Sequence, residues 1–175
     1  MPEVYVAAGS NVTPLDNLRR ALDELEQRFG ALSVSSAYRN RPVGFEGADF
    51  VNLVLGFASD RPLESIVAEL HAVEALCGRP RQTPKWGPRA MDLDVLLYGD
   101  EVGEVAGCVL PRPDLLRRAY MLGPLAEIAP GLRHPVLGRT MAELWREFPR
   151  EDHLLTRIEL ECKVPRRRRQ SRGGG

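Results

Sequence analysis

The chain has 175 residues, 43% of them hydrophobic and 27% charged, the size and balance of one soluble domain able to bury a sizeable core. Its formal charge is zero, but five of the 24 Lys and Arg fall in residues 165–175, so the body sets 19 basic residues against 24 acids; that argues against a nucleic-acid surface. Three scattered cysteines, Cys77, Cys108 and Cys162, fit reduced thiols better than a disulfide frame or a zinc site, and no signal-peptide pattern or bilayer-length apolar run is present, so a cytoplasmic protein is expected.

Residues 4–8 read as a buried strand. Thr13-Pro14-Leu15-Asp16 offers an N-cap, a proline at the first helical position and an acid three residues after the cap. Leu15, Leu18, Leu22, Leu25 and Phe29 recur at helical spacing, and Gly30 is placed to stop that helix. Residues 34–39 and 50–58 are expected as the next two strands, joined by a loop over 42–49. Residues 62–77 read as a second helix with Leu63, Ile66, Val67, Leu70 and Val73 toward the core and Gly78 as its stop. A strand over 91–98 follows, and Gly99-Asp100 turns the chain.

The order strand, helix, two strands, helix, strand predicts an α+β fold, a ferredoxin-like antiparallel sheet with helices on one face. Beyond Val102 the signals weaken, with short C-terminal helices expected near 114–118, 120–128 and 140–148. A single domain over 1–164 is expected, followed by an Arg/Gly-rich tail over 165–175 too poor in apolar residues to order itself.

The chemistry concentrates between Gly78 and Tyr98, where Arg79, Arg81, Lys85 and Arg89 with Trp86 precede Asp92 and Asp94. Alternate residues of a strand share a face, so the two carboxylates stand on one side and Leu93 and Val95 on the other. Carboxylates about 7 Å apart along a strand can be spanned by hard cations such as Mg²⁺, which leave coordination places for phosphate oxygens. Gly78, Pro80, Pro84, Gly87 and Pro88 make the cationic stretch a loop long enough to act as a lid. Neither a Walker pattern nor Gly-x-Gly-x-x-Gly is present, so side chains and Mg²⁺ must hold the phosphates.

The motifs fall in a recognisable order: Gly9-Ser10-Asn11 after the first strand, Ser35-Ser36-Ala37-Tyr38-Arg39, Pro42-Val43-Gly44, Phe50-Val51-Asn52, Glu74 with Gly78-Arg79-Pro80-Arg81, Trp86-Gly87-Pro88-Arg89-Ala90-Met91-Asp92-Leu93-Asp94, then Pro111-Arg112-Pro113 and Arg118-Ala119-Tyr120. Over residues 4–145 the chain resembles the 6-hydroxymethyl-7,8-dihydropterin pyrophosphokinases of folate biosynthesis. The resemblance implies the ferredoxin-like fold and transfer of the β,γ-pyrophosphate of ATP to the hydroxymethyl group of the dihydropterin, with release of AMP. Two Mg²⁺ ions are implied at Asp92 and Asp94, with Arg79 and Arg89 assisting transfer. Arg81, Lys85, Arg89, Arg112 and Arg118, together with His71 and Glu74, would bind ATP. Phe50 and Tyr120 would sandwich the pterin, Asn52 would read its edge with backbone groups near Asn40, Val43 and Gly44, Asp92 would adjoin it, and Trp86 would cover it. The implied partners are these two small molecules, with no nucleic acid or membrane; the sequence leaves the oligomeric state open, a monomer being the default.

Four positions depart from that family's pattern: His71 where Gln is usual, Arg112 where His would stand, Asn40 where Thr is common and Val109 where some members carry a polar residue. Read without the resemblance, Phe50 and Tyr120 could be core and His71 a surface residue, whereas Asn52 in an apolar strand needs a hydrogen-bond partner or a ligand. Gly9-Ser10-Asn11 and Trp145 are read as structural. A ferredoxin-like RNA-binding module and a catalytically silent relative are the competing classes; the acidic body disfavours the first and the intact carboxylate pair the second.

Overall fold

Three apolar stretches, within residues 3–10, 50–58 and 92–98, lie side by side as strands. In the computed structural model, which describes residues 1–42, 46–77 and 90–160, the chain runs β1 (Glu3–Ser10), α1 (Pro14–Phe29), β2 (Ser33–Val34), β3 (Ala37–Asn40), β4 (Phe50–Ala58), α2 (Leu63–Leu76) and β5 (Asp92–Tyr98). A hairpin of β6 (Gly103–Val105) and β7 (Cys108–Leu110) comes next, then a 3₁₀ turn (Pro113–Leu116), α3 (Ala119–Ile128), α4 (Met141–Glu147), a second 3₁₀ turn (Arg150–Asp152) and β8 (Thr156–Ile158). The sheet order is β5-β1-β4-β3-β8, with β2 also on β4 and every pairing antiparallel. With β2 and β3 taken as one interrupted strand, this is the ferredoxin-like arrangement.

β4 is buried at seven consecutive positions, Val51 to Phe57. A strand can stay dry on both faces only if both are covered. On one face, α1 and α2 close over Val4, Val6, Ala8, Leu53, Leu55, Leu93 and Val95, bringing Leu18, Leu22, Leu25, Ile66, Leu70 and Val73 to them. On the other, Leu115, Met121, Leu122, Leu125 and Met141 cover Ala7, Val54 and Leu96. The expectation of helices on one face holds for α1 and α2, and the C-terminal helices supply the second layer. Burying one such Leu contributes about 1.5–3 kcal/mol, so each layer stabilises the sheet on its own side.

Local departures from the sequence expectations have clear causes. Thr13 does not cap α1 through its side chain: at φ 37° its backbone is left-handed, and Pro14 brings no N–H to the first turn. Asn17 Nδ2 instead ties the helix to the turn before it, donating to Val12 O at 2.6 Å and Thr13 Oγ1 at 3.3 Å. The strand expected over 34–39 breaks at Ser35, whose Oγ accepts the Val54 N–H at 2.9 Å in place of a backbone carbonyl. Ser36 N–H then turns out to Glu127 Oε2 at 2.6 Å. Val67 is half-buried and packs against the core as expected, and Glu74 on the same helix is buried as well. The stop expected at Gly78, all but the last residue of the lid loop expected over 79–90, and the tail lie outside the described residues. Cys77 and Cys108 are free thiols, and no described helix is long and apolar enough to cross a membrane.

Candidate functional site

Register builds the site floor. Asp92 stands opposite Gly9 and Asp94 opposite Ala7 on β1; across β1, Gly9 faces Asn52 and Ala7 faces Val54 on β4; Asn52 in turn faces Tyr38, and Phe50 faces Asn40 on β3. Residues directly opposite in a ladder share a face. Asp92, Gly9, Asn52 and Tyr38 therefore form one row and Asp94, Ala7 and Val54 the next, with Phe50 and Asn40 beyond. The same face holds α3 and α4 over Ala7, Val54 and Leu96, and among the described residues no helix of that layer covers the Asp92 end. Both aspartates are half-buried, while Leu93 and Val95 point into the α1 and α2 core.

Asn52 is buried, and its amide Nδ2 donates to Asn40 Oδ1; Asn40 Nδ2 donates to Arg41 O at 3.0 Å. Asn40 thus reaches the site through its side chain as well as its backbone. A Cβ at Gly9 would run into Asn52 Oδ1, so glycine is what lets the buried amide lie across β1. Ser10 and Asn11 are buried and make structural bonds, Ser10 Oγ to Val12 O at 3.1 Å within the turn and Asn11 Nδ2 to Ala48 O at 3.3 Å in the segment before β4, as the structural reading expects.

On the other side of the aspartates, Arg112 Nη1 lies 3.6 Å from Asp94 Oδ1 and its Nη2 3.6 Å from Asp114 Oδ2. Tyr120 packs against the Ala7 and Leu96 layer. Burial raises its phenol pKa, and Asp114 and Asp94 add to the rise while Arg118 and Arg112 oppose it, which puts Tyr120 in the field of all four groups. Arg118 is the N-terminal flank of α3, its carbonyl accepting from Met121 and Leu122 at 3.1 Å each. Sequence reasoning missed Asp114; the Pro111-Arg112-Pro113-Asp114 run was the available signal, each of two ionisable residues directly after a proline.

Glu74 sits at the helix side of β5, its Oε2 accepting Leu93 N–H at 3.3 Å and its Oε1 3.0 Å from His71 Nδ1. Glu74 is therefore tied to the strand that carries the aspartates, whereas the His71 side chain is 69% exposed and faces solvent. Arg79, Arg81, Lys85, Trp86, Arg89, Val43 and Gly44 lie outside the described residues. Trp145 packs on Gly123, where a Cβ would come within 3.0 Å of the indole, and stacks on Phe148 at 5.6 Å, as its structural reading expects. A cavity of about 510 Å³ near Tyr38, Glu127, Trp145 and Arg150 lies apart from the aspartates and contains none of the expected site residues.

Among the described residues no group of three or more His, Cys, Asp or Glu could hold a metal ion. A cation at Asp92 and Asp94 would complete its shell with water and phosphate oxygens, which suits Mg²⁺: it is commonly bound by one or two carboxylates plus substrate phosphates. Arg112, whose side chain is partly exposed and whose Nη1 and Nη2 stand beside Asp94 and Asp114, carries donors suited to such an oxygen, while its Nε is buried with no hydrogen-bond partner among the described residues.

Comparison with known proteins shows the family. The family model described as 7,8-dihydro-6-hydroxymethylpterin-pyrophosphokinase (HPPK) matches residues 5–130. Proteins named 2-amino-4-hydroxy-6-hydroxymethyldihydropteridine pyrophosphokinase are similar: that of Aquifex aeolicus is 33% identical over 145 residues, covering 82% of this chain and 90% of its own. That of Synechocystis is 38% identical, covering 79% and 72%, and that of Pseudomonas aeruginosa 36%, covering 85% and 93%. Among solved structures, wild-type Plasmodium falciparum HPPK-DHPS with pteroate superposes with a TM-score of 0.66 over 84% of this chain and 44% of that one. At 13% identity that likeness concerns the fold alone. Spanning most of the length of its bacterial relatives, the chain belongs to the 7,8-dihydro-6-hydroxymethylpterin-pyrophosphokinase family.

Proposed function

We infer that this protein transfers pyrophosphate from ATP to 6-hydroxymethyl-7,8-dihydropterin, giving the pterin diphosphate and AMP in folate biosynthesis. The observation that carries the reading is the shared row of Asp92, Gly9 and Asn52, which sets a carboxylate pair beside a buried amide on one sheet face. The reaction needs positioning and charge neutralisation more than covalent chemistry.

The pterin lies on the Phe50 and Asn52 side of the row. Asn52 keeps one amide proton and its carbonyl for the pterin edge after donating to Asn40. Phe50 and Tyr120 supply aromatic surface, the backbone near Val43 and Gly44 further hydrogen bonds, and Trp86 the cover. The phosphates lie on the Asp94 and Arg112 side, where Arg112 and Arg118 with Arg81 and Lys85 hold them, and His71 and Glu74 bound the nucleotide. Arg79 and Arg89 act on the charge that develops at transfer. Two Mg²⁺ ions at Asp92 and Asp94 would neutralise phosphate oxygens and align the reacting groups. The working protein is a cytoplasmic enzyme whose partners are these two substrates rather than nucleic acid or membrane.

The test is AMP formation by the purified chain with MgATP, with and without the dihydropterin. AMP should appear only with the pterin and match the pterin diphosphate in amount. ADP as the product, or AMP formed equally without pterin, overturns the reading.

A further inference from the structure

Arg112 is fixed by its main chain and unsatisfied at its side chain. Its backbone N–H donates to Leu96 O at 2.9 Å, which ties it to β5 two residues past Asp94. Its guanidinium stands between Asp94 and Asp114 at 3.6 Å from each, too far for a hydrogen bond to either. Its Nε is buried and has no partner among the described residues. A guanidinium has five donors that match carboxylate or phosphate oxygens in a fork. Here it has the charge contacts without the hydrogen bonds, as a group would if its proper acceptor were a ligand.

Resting on the functional reading above, the same geometry has a consequence for metal binding. Asp94 is one of the two carboxylates assigned to Mg²⁺, and a fixed cation already stands beside it. We propose that Arg112 is the resident counter-ion of Asp94 in the nucleotide-free protein, holding off bare divalent cations until phosphate oxygens draw the guanidinium away. Metal and nucleotide then bind with positive coupling, and by linkage each raises the affinity of the other by the same factor. Asp114 sets the balance by sharing the guanidinium with Asp94. The effect depends on a cation at position 112.

The test is Mn²⁺ binding to the full chain, followed by the EPR signal of free Mn²⁺, with and without α,β-methylene ATP. Without nucleotide, Arg112→Gln should tighten Mn²⁺ binding roughly fivefold or more, from removal of a unit charge about 4 Å from Asp94. Arg117→Gln makes the same change of net charge at an exposed neighbour and should alter affinity by less than about twofold, because solvent screens it. Arg112→Lys keeps the charge and should stay close to wild type, and Asp114→Asn should weaken nucleotide-free binding by leaving Arg112 to Asp94 alone. With the analogue present, the advantage of Arg112→Gln should vanish or reverse. Unchanged nucleotide-free affinity in Arg112→Gln, or an equal gain in Arg117→Gln, overturns the proposal. Wild-type protein that binds no Mn²⁺ even with the analogue would instead refute the functional reading, and the proposal with it.

Discussion

Gly9→Ala is the perturbation whose size the structure fixes best. The added methyl would meet Asn52 Oδ1 and stand 3.9 Å from Phe50, on the row that also holds Asp92. Overpacking of this kind costs about 1–3 kcal/mol. For a domain of this size that corresponds to a fall in Tm of roughly 2–12 °C. To relieve the clash Asn52 must swing, which disturbs its bond to Asn40 and the amide edge proposed to read the pterin. The assay is a double-mutant cycle on thermal melting with Gly9→Ala, Asn52→Ala and the pair. Because Ala at 52 removes the oxygen that the new methyl meets, the second substitution should hide most of the first, leaving a coupling of about 1 kcal/mol or more. Pterin affinity should fall in both single variants. If Gly9→Ala costs as much with Ala at 52 as with Asn, the close approach is not what requires glycine.

Three further outcomes follow from packing and titration. Leu93→Ala, on the face away from the aspartates, should destabilise by about 2–5 kcal/mol and leave kcat within a few-fold in the folded fraction; a selective loss of kcat would mean that the two faces are not separate. Burial lowers the pKa of His134, whose Nδ1 accepts from Val136 and Leu137 N–H at 3.2 Å each. Its stabilising effect is therefore complete above the unfolded value of about 6.5 and lost as pH falls through the lower folded value; His134→Asn keeps an acceptor without titrating, so its Tm should fall less over that acid range, and parallel profiles would refute the assignment. Burial alone would raise the Glu127 pKa, but the hydrogen bonds it accepts from Tyr38 and Ser36 outweigh that and lower it, so Glu127→Gln should cost about 1 kcal/mol at neutral pH, with the difference shrinking below about pH 4.5.

Period two was enough to place Asp92 and Asp94 on one face, because a strand leaves no other choice. Residues 50–58 and the helical spacing of Leu18, Leu22 and Leu25 were equally readable, since propensity and burial agree there. What escaped depends on single atoms or distant packing. The break at Ser35 arises because a hydroxyl replaces a carbonyl in the ladder. The β6–β7 hairpin turns through Ala106 and Gly107, both at positive φ, and alanine gives no turn signal there. α3 has buried residues at seven of its ten positions, so its periodicity could not indicate which face of the sheet it would cover. The meeting of Arg112 with Asp94 and Asp114 follows from the path of the chain after β7, which residue spacing does not encode.

The central claim is that the carboxylate pair carries the transfer, and it is tested most directly by Asp92→Asn and Asp94→Asn. Asn keeps the shape and removes the charge. With saturating MgATP and dihydropterin, AMP release by each folded variant should fall at least about a hundredfold in kcat, roughly 2.7 kcal/mol of transition-state stabilisation. Near-normal turnover in both variants at saturating Mg²⁺ would contradict the account.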